Sequence, residues 1–213
     1  MTFSRLHITV FLALAVAGWA VVLLVKGTPI TLAHLSPFGI VVGFLVILAL
    51  LFDRVLWRFR WLHGWFVKRP DLRGTWRVEL QPDWVDAKIG RDAPLIVCYI
   101  GVEQTLSTLQ MHLMTGESES VFIAKEITSS PNATGYRVVG VYTNKPHVHL
   151  RGDRSEIHNG ALILETHGPP SRPESLTGEY WTDRKTTGRM TFTNRVHEIL
   201  TRFEDADRHF NGR

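Results

Sequence analysis

Cysteine is almost missing: Cys98 is the only one among 213 residues. No internal disulfide can form, which fits a reducing compartment. Also missing are a GxxxxGK[ST] loop, a GxGxxG fingerprint and a GxSxG elbow. Their absence removes the common signatures of nucleotide hydrolysis, dinucleotide cofactors and acyl transfer. Ser118 and Ser120 of "GESES" are therefore not read as nucleophiles, and neither an enzymatic activity nor a cofactor is expected. Charge is lacking in two long runs, Ile8 to Val25 and Leu35 to Phe52, each of 18 residues. No solenoid-length repeat and no low-complexity segment occurs.

Each uncharged run covers about 27 Å as a helix, close to the hydrocarbon thickness of a bilayer. A signal peptide is a weaker reading of the first, because no small-x-small cleavage site follows and a second run comes straight after. The sequence predicts two transmembrane helices, at about 6–25 and 36–56, within a segment 1–68 that ends in a basic juxtamembrane stretch. The connector between the runs holds one Lys, whereas Arg54, Arg58, Arg60, Lys68 and Arg69 follow the second. Positive residues near span ends stay inside, so a multi-pass inner-membrane protein with both termini cytoplasmic is expected. Trp57, Trp61 and Trp65 lie among these cations, as interfacial aromatics do. Gly39 and Gly43 form a small-xxx-small pair that permits close helix approach, a weak signal in any apolar helix.

Charge is unevenly divided. Residues 1–70 carry seven Lys/Arg against one acid, and residues 71–213 carry seventeen against nineteen. The net charge of +4 thus belongs to the apolar end, and no basic domain suits a nucleic acid polymer. A small anionic ligand needs only a few local cations and remains open.

From residue 69 to 213 the pattern changes to period two. In "TWRVEL", Trp76, Val78 and Leu80 alternate with Thr75, Arg77 and Glu79, the mark of a half-buried strand. Similar segments follow in "PLIVCYIGVEQTLSTLQMHLM", "SESVFIAKEI", "YRVVGVYTN", "NGALILETHG" and "GEYWTDRKTTGRMTF", divided by turn clusters. Helical periodicity returns only near "RVHEILTRFEDADRHF". The expected domain at 69–213 is all-β, an antiparallel barrel of about eight short strands with a short C-terminal helix.

Two constellations carry possible chemistry. His147 and His149 in "HVH" share a strand face, but a metal needs further ligands such as His112, His158 or His167, and nothing fixes their position. A set of polar residues, Ser118, Ser120, Tyr142, Asn144, Tyr180, Thr182, Arg184 and Thr187, falls near strand ends and turns. Tyr rings can stack on a base, Asn and Thr can bond its edge, and Arg can hold phosphate. Tyr and Thr also favour strands for ordinary reasons, and on residue chemistry alone that explanation is the stronger.

"LRGTWRVEL", "YTNKP" with Pro146, and "LTGEYWTDRKTTGRM", placed behind two apolar runs, together resemble the membrane-anchored β-barrel effectors of CBASS antiphage systems. The resemblance implies a minimal barrel that senses a cyclic dinucleotide made by a partner nucleotidyltransferase. It implies homo-oligomerisation on binding, disruption of the lipid bilayer by the helices and cell death. Carried over by position, the eight polar residues become ligand-contact candidates, Ser118 and Ser120 less directly than the others. The alternative is a membrane-anchored, lipocalin-like barrel serving as a scaffold or apolar-ligand binder, which predicts an apolar mouth. A metal-dependent enzyme built on His147 and His149 is a third reading.

Overall fold

The computed structural model describes residues 5–27, 32–83, 85–86, 91–130, 135–152 and 155–212. Contacts divide the chain into Met1–Trp57 with Thr105–Ser107, and Arg58–Gln104 with Thr108–Arg213. In the first unit, α1 spans Arg5–Val25 and α2 spans Leu32–Arg54. Their runs of Leu, Val, Ala and Ile with no internal acid or base leave the backbone nothing to do but bond to itself. Among the described residues, however, no helix is long and apolar enough to cross a membrane. The described residues thus hold no helix that meets the expectation of two spans. Trp57, read from the sequence as an interfacial aromatic, is fully buried.

The second unit holds the sheet. Its strands are β1 (Gly74–Pro82), β2 (Val85–Asp86), β3 (Arg91–Asp92), β4 (Ile96–Gln104), β5 (Leu109–Met114), β6 (Ser118–Ser129), β7 (Tyr136–Pro146), β8 (His158–His167), β9 (Ser175–Thr182) and β10 (Thr187–Val196). β2 and β3 form a small separate ribbon, and the other eight close into a barrel in the order β1-β10-β9-β8-β7-β6-β5-β4. Every neighbouring pair is antiparallel, so this is an up-and-down barrel and the edge problem is solved by closure. This is the architecture that the alternation in the sequence predicts.

Period two assigns each side chain to the inside or the outside. On β7, Tyr136, Val138, Gly140, Tyr142, Asn144 and Pro146 are buried, while the residues between them are not. Val78, Cys98, Ile100, Leu113, Phe122, Val138, Leu162 and Leu164 fill the interior. An eight-stranded barrel is narrow enough for such side chains to pack it solid, leaving room for a ligand only at an end.

One end is stopped. Leu72 and Trp76 are buried there, and the chain leading into β1 is strapped across the opening. The side chain of Gln104 accepts from the Leu72 N–H and donates to the Pro70 carbonyl, both at 2.9 Å. The Trp76 indole N–H donates to the Leu72 carbonyl at 2.9 Å, and the Asp71 N–H to Pro170 at 2.9 Å. The Arg195 guanidinium lies 5.0 Å over the Trp76 ring and also donates to the Asp71 carbonyl. These bonds satisfy backbone groups that would otherwise be stranded away from water.

Helix α3 (Phe203–Asn211) lies against the outside of the barrel. Its Phe210 stacks on Tyr99 at 5.2 Å, with Phe203, Ala206 and Met114 around them. The Tyr99 hydroxyl donates to Asp207 at 2.9 Å and accepts from the Asn211 amide at 3.1 Å.

Candidate ligand-binding site

The other end of the barrel is where β6, β8 and β10 begin and where β7 and β9 finish. Register brings the polar candidates together there: Ser120 faces Asn144, Asn144 faces His158, Tyr142 faces Gly160, and Tyr180 faces Gly188. Parity turns Ser118, Ser120, Tyr142, Asn144, Tyr180 and Thr182 to the inner side. Below them the interior is apolar, so the polar groups make one layer at one end.

The layer is preorganised by its own bonds. The Asn144 amide nitrogen donates to both Ser118 Oγ and Ser120 Oγ, each at 2.9 Å. Using both amide protons this way fixes the Asn144 rotamer and turns its carbonyl oxygen elsewhere. Ser118 Oγ also lies 3.1 Å from Thr115 Oγ1.

Tyr142 and Tyr180 owe their positions to glycine on the next strand. A Cβ at Gly160 would sit 2.4 Å from the Tyr142 ring and hydroxyl, and one at Gly188 would sit 2.5 Å from the Tyr180 ring. Each ring therefore lies across a glycine, a space that any other residue would fill. Burial pushes both phenols up to about 12, with their mutual proximity adding to the effect on Tyr142 and the Arg184 charge opposing it. Both hydroxyls stay neutral at physiological pH and can donate as well as accept.

The rim comes from the β9–β10 turn. Thr182 Oγ1 and Thr186 Oγ1 are 2.6 Å apart, and Lys185 takes a left-handed φ of 61° to close the turn. Asp183 accepts the Asn159 N–H at 2.9 Å, which ties the turn to β8. Arg184 is exposed and donates to Ser155 Oγ at 3.2 Å, tying it to the β7–β8 loop. Its charge reaches Tyr142, so it belongs to the same end. Thr187, the first residue of β10, lies at this end too, but it pairs with Trp181 on the outward face, because Gly188, one residue on, is the inward position opposite Tyr180.

Sequence reasoning missed His158 as a member of this layer, weighing it only as a metal ligand. It is buried beside Asn144, and its Nδ1 lies 3.0 Å from the Glu156 carbonyl. A carbonyl only accepts, so Nδ1 carries the proton in that bond. The alternation of His158 with Gly160, Leu162 and Leu164 was the available signal. Gly160 and Gly188 were missed as well, since only cross-strand register reveals what they accommodate. His147 and His149 stack at 6.0 Å on a short 3-10 turn, and among the described residues no group of three or more potential metal ligands gathers.

The end thus gathers two buried phenols, hydroxyls, an amide and an imidazole, with the exposed cations Arg184 and Lys185 in the rim turn. That set suits a small ligand carrying rings, hydrogen-bonding edges and phosphate. Residues 67–194 match the family model for the Cap15 cyclic dinucleotide receptor domain. No curated protein matches the chain.

Proposed function

Because the chain belongs to the Cap15 cyclic dinucleotide receptor family of CBASS effectors, we propose that it is the killing component of an antiphage system. In this reading a cyclic dinucleotide from a partner nucleotidyltransferase binds the polar end of the barrel. The barrel acts as a receptor and not as an enzyme. Tyr142 and Tyr180 stack on or bond the bases, Asn144, Ser118, Ser120 and Thr182 bond polar edges, and Arg184 meets phosphate. Thr187 faces away and is left out of the contacts.

The observation that carries this reading is the gathering of those six inward side chains, with Arg184 at the rim, at the end opposite the stopped one. A barrel for apolar cargo needs an apolar mouth, so the polar layer supports the nucleotide reading.

Binding then favours assembly of several copies, by its differential affinity for the assembled state. Copies held in one membrane plane gain effective concentration, which amplifies a modest contact. Helices α1 and α2, placed as inner-membrane spans with both termini cytoplasmic, disrupt the bilayer once clustered. Their uncharged 18-residue runs and exposed Leu24, Phe44 and Ile47 side chains support that placement. Full-length protein in vesicles, titrated with cyclic dinucleotides, is expected to form larger assemblies and to release trapped dye. Unchanged assembly size and intact vesicles at saturating ligand would defeat the proposal.

A further inference from the structure

Among the described residues of the barrel unit, the segment Arg58–Lys68, which opens it, carries the most concentrated exposed aromatic surface. Phe59 is 49% exposed, Trp61 68%, Trp65 65% and Phe66 57%. Exposing four large aromatics within eight positions forfeits burial that each would gain in a core. Interspersed with them are Arg58, Arg60 and Lys68, all exposed, and the segment contains no Asp or Glu. The next acid, Asp71, is paired with Arg73 at 2.7 Å.

The segment is built to hold this display. Leu62 and Val67 are buried and pin its two arms. The N–H groups of Phe66 and Val67 both donate to the Leu62 carbonyl, at 3.2 and 2.9 Å, and the Gly64 N–H donates to Val67 at 3.2 Å. Gly64, at φ 96°, supplies the left-handed residue the reversal needs. The Trp65 indole N–H donates to the Trp61 carbonyl at 2.7 Å, and the two rings stack with centroids 6.4 Å apart. Phe66 packs against Trp65 at 5.5 Å. The aromatics therefore stand outward on a tied loop, with little left to order on docking.

We infer that this loop is a docking surface for anionic membrane, seating its aromatic rings at the headgroup level while its cations meet lipid phosphate. The composition selects that partner. Tryptophan and other amphipathic aromatics favour the headgroup region, and juxtamembrane cations are drawn to an anionic leaflet. The core of a protein–protein interface also takes aromatics but is depleted of lysine and other charge. The surface lies in the barrel unit, so the inference does not rest on α1 and α2 crossing a bilayer. It gives the receptor head its own hold on the membrane face, which sets the orientation of the barrel towards lipid.

The test uses the full chain with Phe66→Cys carrying an environment-sensitive fluorophore; Cys98 is buried, with its thiol pushed up to about 12, and stays unlabelled. The labelled protein is mixed with vesicles of phosphatidylcholine alone and of phosphatidylcholine with phosphatidylglycerol. A blue-shifted emission, quenched by headgroup-labelled lipid and found only or chiefly with phosphatidylglycerol, is the expected result. Arg58→Gln, Arg60→Gln and Lys68→Gln together should reverse the shift, with roughly a hundredfold weaker partitioning of the loop. Trp61→Ser with Trp65→Ser should reverse it too. Aqueous-like emission with every vesicle overturns the inference, as does a shift that survives both sets of substitutions. Alkaline extraction of the same samples reports separately on whether the helices are integral, so the loop and the spans succeed or fail independently.

Discussion

Tyr142 lies across Gly160 of the neighbouring strand, so closely that a methyl group on that glycine would stand 2.4 Å from the phenolic ring and hydroxyl. The position of one proposed stacking platform is therefore set by the absence of a side chain elsewhere. Gly160→Ala is expected to displace the ring and also to crowd the Trp181 carbonyl at 2.9 Å. Overpacking of this kind costs about 1–3 kcal/mol. Chemical denaturation should show that loss, and cyclic dinucleotide affinity should fall with it. Tyr142→Phe keeps the ring and removes only the hydroxyl, so melting should hold while affinity drops by about 0.5–1.5 kcal/mol.

Asn144 spends both amide protons on Ser118 and Ser120. Asn144→Ala leaves the buried Ser120 hydroxyl without that donor and is expected to destabilise the barrel by about 1–3 kcal/mol. Guanidinium unfolding of the full chain checks it; a midpoint equal to that of the parent would mean the layer is not held together in this way.

At the opposite end, Gln104 serves two backbone groups of the entering strap. Gln104→Ala strands the Leu72 N–H and the Pro70 carbonyl, again at a cost of about 1–3 kcal/mol. Hydrogen exchange at Leu72 should speed up before that of β7. Equal protection in the variant and the parent would contradict the role given to Gln104.

All four tyrosines are pushed upward: Tyr99, Tyr142 and Tyr180 to about 12, and Tyr136 in the same direction, each chiefly by burial. Folding thus favours the neutral phenols. For Tyr99, Tyr142 and Tyr180 that contribution to stability is complete below the ordinary value near 10 and is lost as pH climbs from about 10 to about 12. Absorbance titration should show Tyr99, Tyr142 and Tyr180 still neutral in the folded chain around pH 10, then phenolate from every tyrosine as it unfolds. An ordinary phenolate transition in the folded protein would refute the burial assigned to these rings.

The barrel was legible because alternation is a local property: Trp76, Val78 and Leu80, or Tyr142 and Asn144, declare their common side within a few residues. What pairs with what is not local. Nothing near Tyr142 in sequence points to Gly160, and nothing near Leu72 points to Gln104. That Thr187 faces outward was hidden for a related reason. The length of the Asp183–Thr186 turn sets the parity of β10, and one residue decides between the inner layer and the outer face. His158 was hidden because a lone histidine before an asparagine and a glycine reads as loop until Asn144 is found opposite. Trp57 was grouped with Trp61 and Trp65 by its place among the cations, whereas its side chain is buried and theirs are exposed.

The most direct measurement is equilibrium binding of a panel of cyclic dinucleotides to the full chain in detergent, alongside the Tyr142→Phe and Arg184→Ala variants. Saturable binding of at least one, weakened by both substitutions with melting unchanged, is the predicted result. No binding of any cyclic dinucleotide, or binding indifferent to both side chains, would contradict the assignment of the polar end as the receptor site.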